Sequence, residues 1–186
     1  MTNVKYFAML GLVAMVNLTA CAPKPVSGTL WTCNMAGENS PPYLHADTIY
    51  TFSGGTADAE MRCDNAAGED GKPADRMLTL DVIVKTPDDK PLKLASESAE
   101  RGQITLIDHY GHQKTRWVEI RSPGHFSISF LGSGSDASIE LPAMIQLHLV
   151  DGHNQRLSVD TDQPGYRRFL ERCETYVVSD ITVVPR

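Results

Sequence analysis

The sequence lacks most of what catalysis and cofactor binding require in recognisable form. It contains no G-x-S-x-G, no serine followed three residues later by lysine, no H-E-x-x-H and no glycine-rich loop between a strand and a helix. The nucleophile elbow, the zinc helix and the phosphate cradle are therefore missing. Four cysteines are present without a C-x-x-C pair, which removes the usual structural zinc site. The longest early apolar run, Tyr6 to Val16, falls short of the about 20 residues that a membrane-spanning helix needs. Lys and Arg number 17 against 23 Asp and Glu, a formal net charge of −6. That balance argues against nucleic acid or anionic headgroups as partners, because both attract basic surfaces. These absences point to a binding protein without cofactor or metal, and not to an enzyme.

What is present begins with a leader. Lys5 is followed by the apolar stretch YFAMLGLVAMV and then by Leu18-Thr19-Ala20-Cys21. A basic start, a short apolar region and small residues before a cleavage point are the marks of a secretion signal. The segment L-T-A-C resembles the lipobox of bacterial lipoprotein precursors. That resemblance covers residues 1–21. It implies that residues 1–20 are removed as a signal peptide and that Cys21 is lipidated as the first residue of the mature chain. Two or more acyl chains anchor a protein stably, whereas one does so only marginally. The residue after Cys21 is Ala22; in the enteric members of the family an aspartate there favours retention in the inner membrane. The resemblance thus places the protein in the bacterial envelope, on the periplasmic face of the outer membrane. Residues 21–28 form the lipidated cysteine and a short tether with two prolines, of which Ala22 to Gly28 reach roughly 20 Å at polyproline spacing.

Residues 29–186 read as a single β-rich domain. The dominant period is two: Phe126, Ile128 and Phe130 share one face of HFSISF, and Leu78, Leu80, Val82 and Val84 share one face of LTLDVIVK. Ile145, Leu147 and Leu149 alternate likewise, as do Leu157 and Val159. Half-buried alternation means mainly antiparallel pairing. Further strands are predicted around 28–35, 47–53, 57–63, 103–109, 113–121 and 176–184. Turn signals separate them, among them SGG at 53–55, SPG at 122–124 and the DGHN hairpin at 151–154. The fold class is mainly β: an antiparallel β-sandwich or open barrel with one short C-terminal helix. That helix is predicted over 163–174, where Phe169, Leu170, Cys173, Tyr176 and Val177 follow helical spacing behind Pro164. The polar run DNAAGEDGKPAD at 64–75 does not match the ligand order of a calcium loop and reads as a mobile loop.

Lipidation of Cys21 leaves three cysteines for one disulfide in an oxidising compartment. Cys33 and Cys63 both fall on inward positions of predicted strands, so Cys33–Cys63 is the first expectation, with Cys173 as the alternative partner. Three further side chains stand out. If Tyr110-Gly111 is a two-residue hairpin turn, His109 and His112 become cross-strand neighbours, a weak metal candidate that would need a third ligand. Trp117 shares an outer face with Glu119 and Arg121, while Val118 and Ile120 point inward; an exposed tryptophan is a candidate binding anchor. The expected function is a lipid-anchored envelope protein whose β-domain binds another protein, as an assembly accessory, scaffold or inhibitor. The alternatives are a small-molecule or glycan-binding module and, further off, a metal-dependent hydrolase using His109 and His112.

Overall fold

The computed structural model describes residues 25–27, 32–36, 43–67, 73–132 and 139–176. The leader, Cys21 and the strand predicted around 176–184 lie outside them, save Tyr176, which is not in a strand. Eleven strands and one helix are described: β1 (Pro25–Ser27), β2 (Thr32–Ala36), β3 (Tyr43–Phe52), β4 (Gly55–Cys63), β5 (Ala66–Ala67), β6 (Pro73–Lys85), β7 (Arg101–Ile107), β8 (Gln113–Ser122), β9 (His125–Gly132), β10 (Met144–His148), β11 (Asn154–Ser158) and α1 (Pro164–Cys173). Nine of them form one antiparallel sheet in the order β11-β10-β7-β8-β9-β6-β4-β3-β2, with β1 added in parallel to β11 and β5 paired to β6. The sheet curls into a half-barrel. The open-barrel expectation is thereby met, with one curled sheet in place of the two of a sandwich.

Alternation builds the curl. Along β4, Ala57, Ala59, Met61 and Cys63 are buried while Thr56, Asp58, Glu60 and Arg62 are half-exposed. The neighbouring β6 and β9 contribute Leu78, Leu80, Val82, Val84, Phe126, Ile128 and Phe130 to the same concave core. On β3 and β4 the concave side carries Ala46, Ala57 and Ala59, which leaves volume on the side where α1 lies against β2 and β3. The helix fills that space with Tyr166, Phe169 and Cys173, all buried and spaced three or four apart. Proline at its first turn replaces an N–H that would have no partner there. Complete burial of Phe169 is worth about 1.5–3 kcal/mol. Gly55 is demanded by close approach: at φ +149° its Cβ would stand 1.8 Å from the Lys85 carbonyl oxygen.

The seam between the two ends of the sheet is closed by side chains. Tyr50 of β3 donates its hydroxyl to the Ser158 carbonyl of β11 at 2.6 Å. The disulfide joins Cys63 to Cys173, not to Cys33, which is a free, half-buried thiol. The first-choice pairing fails because β2 is antiparallel to β3 and sets Cys33 opposite Ala46, with β3 standing between β2 and β4. Beside the disulfide, Asn65 is fully buried. Its amide donates to the Cys173 carbonyl at 2.7 Å and the Tyr176 carbonyl at 3.0 Å, and its Oδ1 accepts from the Met77 N–H at 3.1 Å. Residues 64–67 and 73–75 are therefore ordered structure, with Asn65 holding the helix terminus, where a mobile loop was expected; the rest of that run lies outside the described residues.

The opposite end of the half-barrel is capped by the β6–β7 connection. Leu92 and Leu94 are buried there, and the N–H groups of Ala95 and Val150 donate to the carbonyls of His148 and Lys93 respectively.

Candidate functional site

Two surfaces collect polar side chains in patterns that the core does not require. The first is the convex face of β3, β4, β6, β9 and β8. Register places Asp47 opposite Glu60, Glu60 opposite Asp81, Asp81 opposite Ser127 and Ser127 opposite Glu119, so one row crosses five strands. The adjacent row runs Ile49, Asp58, Ile83, His125. Each strand cation on this face has a carboxylate partner: Arg62 with Asp81 at 3.0 Å, Arg121 with Glu119 at 2.8 Å and Lys85 with Asp89 at 3.0 Å. Ser127 donates to Asp81 as well. His45 and His125 stand 3.4 Å from Asp47 and 3.6 Å from Asp81. Burial pushes the Glu60 carboxyl above its ordinary range, against the pull of His45 and Arg62. The residues enclose a shallow trough of about 790 Å³, with Ile49 and Ile83 exposed beside the acidic row.

Trp117 belongs to this convex face, 59% exposed. It lies on the same side of β8 as Glu119 and Arg121, as its alternation with buried Val118 predicts. From β8 to β3 is four strand spacings, about 20 Å.

The second surface is a cleft of about 810 Å³ at the helix end of the half-barrel. Pairing of β8 with β9 stops at Glu119–Ser127, so Gln113 to Val118 on β8 and Ile128 to Gly132 on β9 do not pair with each other. Leu106, Phe130, Ile139, Leu141 and Leu170 form the apolar lining, and Lys114 and Arg116 enter it from β8. Arg116 reaches across the gap: its guanidinium donates to the Ser129 carbonyl at 2.5 Å and lies 5.5 Å from the centre of the Phe130 ring.

The β7–β8 turn forms part of the rim. It is a three-residue loop, His109 to Gly111, closed by Gly111 at φ +88°, and not the two-residue turn expected. Asp108, not His109, is consequently the cross-strand partner of His112. The His112 Nδ1 sits 2.8 Å from Asp108 Oδ2, and the N–H groups of Tyr110 and His112 both donate to Oδ1 at 2.8 Å. Desolvation pushes the Asp108 carboxyl up, but the bonds from His112 and Tyr110 outweigh it and hold the group below the usual carboxylate range. The extra loop residue overturns the geometry on which the histidine pair depended. Among the described residues no group of three or more His, Cys, Asp or Glu side chains is placed to hold a metal. Nor is any described helix long and apolar enough to cross a membrane.

Sequence reasoning brought out Trp117 but missed Lys114 and Arg116. Their signal was available: Lys114 and Arg116 share the parity of the inward residues Val118 and Ile120, so cations occupy positions that the strand pattern reserves for the core. Comparison with protein-family models, with curated proteins and with solved structures finds no match to this chain.

Proposed function

We propose that this protein is a lipid-anchored envelope protein whose β-domain binds another protein through its convex face, with no chemistry of its own. The envelope placement rests on the lipobox-like Leu18-Thr19-Ala20-Cys21. One observation carries the binding role: an acidic row across five strands is flanked by the exposed apolar side chains Ile49, Ile83 and Trp117. Large aromatic anchors surrounded by polar contacts dominate the energy of protein interfaces. The face carries the carboxylates Asp47, Asp58, Glu60, Asp81 and Glu119 against the cations Arg62, Lys85 and Arg121, so its balance of charge is negative. The fitting partner is a protein with a basic, partly apolar surface.

Photo-crosslinking in intact cells tests this, with the photoreactive residue placed at Ile49 or Ile83 and, as a control, at Val150 in the exposed β10–β11 turn. One recurrent protein captured from both convex positions and not from Val150 is the expected result. Trp117→Ala, or Asp47→Lys with Glu60→Lys, should reduce that capture at least about ten-fold. Replacing Cys21 with Ala should weaken capture by removing the anchor. Capture equal to that at Val150, or indifferent to these substitutions, overturns the proposal.

A further inference from the structure

The concave face is apolar over most of its area, but at one end three cations occupy inward positions. Arg76 on β6 has the parity of Leu78 and Leu80, and Lys114 and Arg116 on β8 have that of Val118 and Ile120. Their register neighbours on β7 are apolar: Lys114 stands opposite Leu106, and Arg116 opposite Ile104. Arg76 lines a smaller recess of about 210 Å³ that shares Ile139, Leu141 and Leu170 with the cleft. The convex-face cations Arg62, Lys85 and Arg121 each have a carboxylate within 3.0 Å. By contrast, none of Arg76, Lys114 and Arg116 has an ion-pair partner among the described residues. Of the carboxylates lining the cleft and the recess, Asp108 is already occupied by His112 and two backbone N–H groups, and Glu140 and Glu174 are exposed.

Long basic side chains can lie over apolar surface with their charges in water. That accounts for their stems, and the Arg116–Phe130 contact is such a case. It does not account for two cations lining one apolar cleft, with a third in the adjoining recess, where the cleft's volume suits a small ligand. Pockets of about 300–1,000 Å³, mostly apolar with a few placed polar groups, are the usual form of small-molecule sites. The gap between β8 and β9 supplies the opening, and Leu170 of α1 supplies one wall.

We infer that this cleft binds an anionic amphiphile with a single apolar chain. The chain lies over Leu106, Phe130, Ile139, Leu141 and Leu170, and the anionic head pairs with Lys114 and Arg116. A carboxylate and a phosphate monoester share the chemistry that these cations recognise. The inference does not depend on the protein partner proposed for the convex face.

Photolabelling of the full chain in its own membranes tests it with three probes. They are a diazirine-bearing hexadecanoic acid, the matching uncharged alcohol and the matching monoacyl glycerophosphate. The expected result is labelling by one or both anionic probes, mapped by mass spectrometry to peptides containing Leu106, Phe130, Leu141 or Leu170. The alcohol should label at least about ten-fold less, the loss expected from one charge-assisted contact. Lys114→Glu should depress anionic labelling by a similar factor, and Lys114→Arg should retain it. Formation of the Cys63–Cys173 bond, read by thiol alkylation, reports that each variant has folded. The ratio of the two anionic probes assigns carboxylate or phosphate. Equal labelling by the alcohol, labelling outside the cleft, or indifference of a folded Lys114→Glu chain overturns the inference.

Discussion

The curled sheet stops pairing with itself in two places, and the two gaps are treated differently. At the seam between β3 and β11, the ladder is replaced by a tyrosine hydroxyl, a buried helix face and a disulfide. At the split between β8 and β9, one arginine reaches across and the remaining space is open. The first gap is filled by apolar volume and held by hydrogen bonds from Tyr50 and Asn65. The second is lined by apolar side chains whose neighbouring cations have no ion-pair partner among the described residues. The difference teaches that an interruption in a sheet is not in itself a site. What surrounds it decides whether the gap serves stability or is left for a ligand.

Breaking the seam should be costly, and breaking the split should not. The largest effect is expected from Cys63→Ser with Cys173→Ser, since the bond spans 110 residues. The chain-entropy relation gives about 4–5 kcal/mol for a loop of that order, to be read as the drop in unfolding free energy in urea. Next comes Asn65→Ala, which strands the Cys173 and Tyr176 carbonyls at the helix end. A loss of about 2–3 kcal/mol in the same titration is expected. Tyr50→Phe removes one hydrogen bond to Ser158 and should cost about 1 kcal/mol. On the other side of the comparison, Lys114→Ala should change stability by no more than about 0.5 kcal/mol. A loss at Lys114 as large as that at Tyr50 would make the split a structural element like the seam.

The smallest effect sharpens the picture on the convex face. Because burial raises the Glu60 carboxyl in the folded chain, folding makes its proton harder to remove, and its ionised form opposes folding near neutral pH. Stability attributable to this group therefore rises as the pH falls through its folded pKa, and levels off below the unfolded value. Glu60→Gln should raise the melting temperature slightly at pH 7. The gain should vanish in acid below the ordinary glutamate range. A gain that persists at low pH would assign the effect to something other than ionisation.

Much of the architecture was legible because its signal is local. The parity of Leu78–Val84 and Phe126–Phe130 identified strands and their buried sides, and Pro164 with Phe169 and Cys173 placed the helix within a residue of its observed limits. Trp117 was placed outward by the same rule. What could not be read was non-local. The choice between Cys33 and Cys173 as partner of Cys63 depends on which strand stands next to β4, and inward parity is shared by all three. The histidine pair turned on one residue of loop length, which shifts every facing pair. Asn65 sat within a polar run, and its role depends on a helix end more than a hundred residues away. The cleft was half legible: the parity of Lys114 and Arg116 marks an anomaly, but the splaying of β8 from β9 that gives it volume has no sequence signature.

The long reach of the disulfide bears on how the chain matures. Under the envelope placement proposed above, export from the N terminus brings out Cys33 and Cys63 long before Cys173, with Cys33 left free in the final structure. An oxidant acting in order of emergence would join the wrong two. Correct maturation then requires either that oxidation wait until the whole sheet has left the translocation channel, or that an isomerase reopen an early Cys33–Cys63 bond. Removing Cys33 should relieve that requirement, so the thiol that contributes no bond to the finished fold governs which helpers its biogenesis needs.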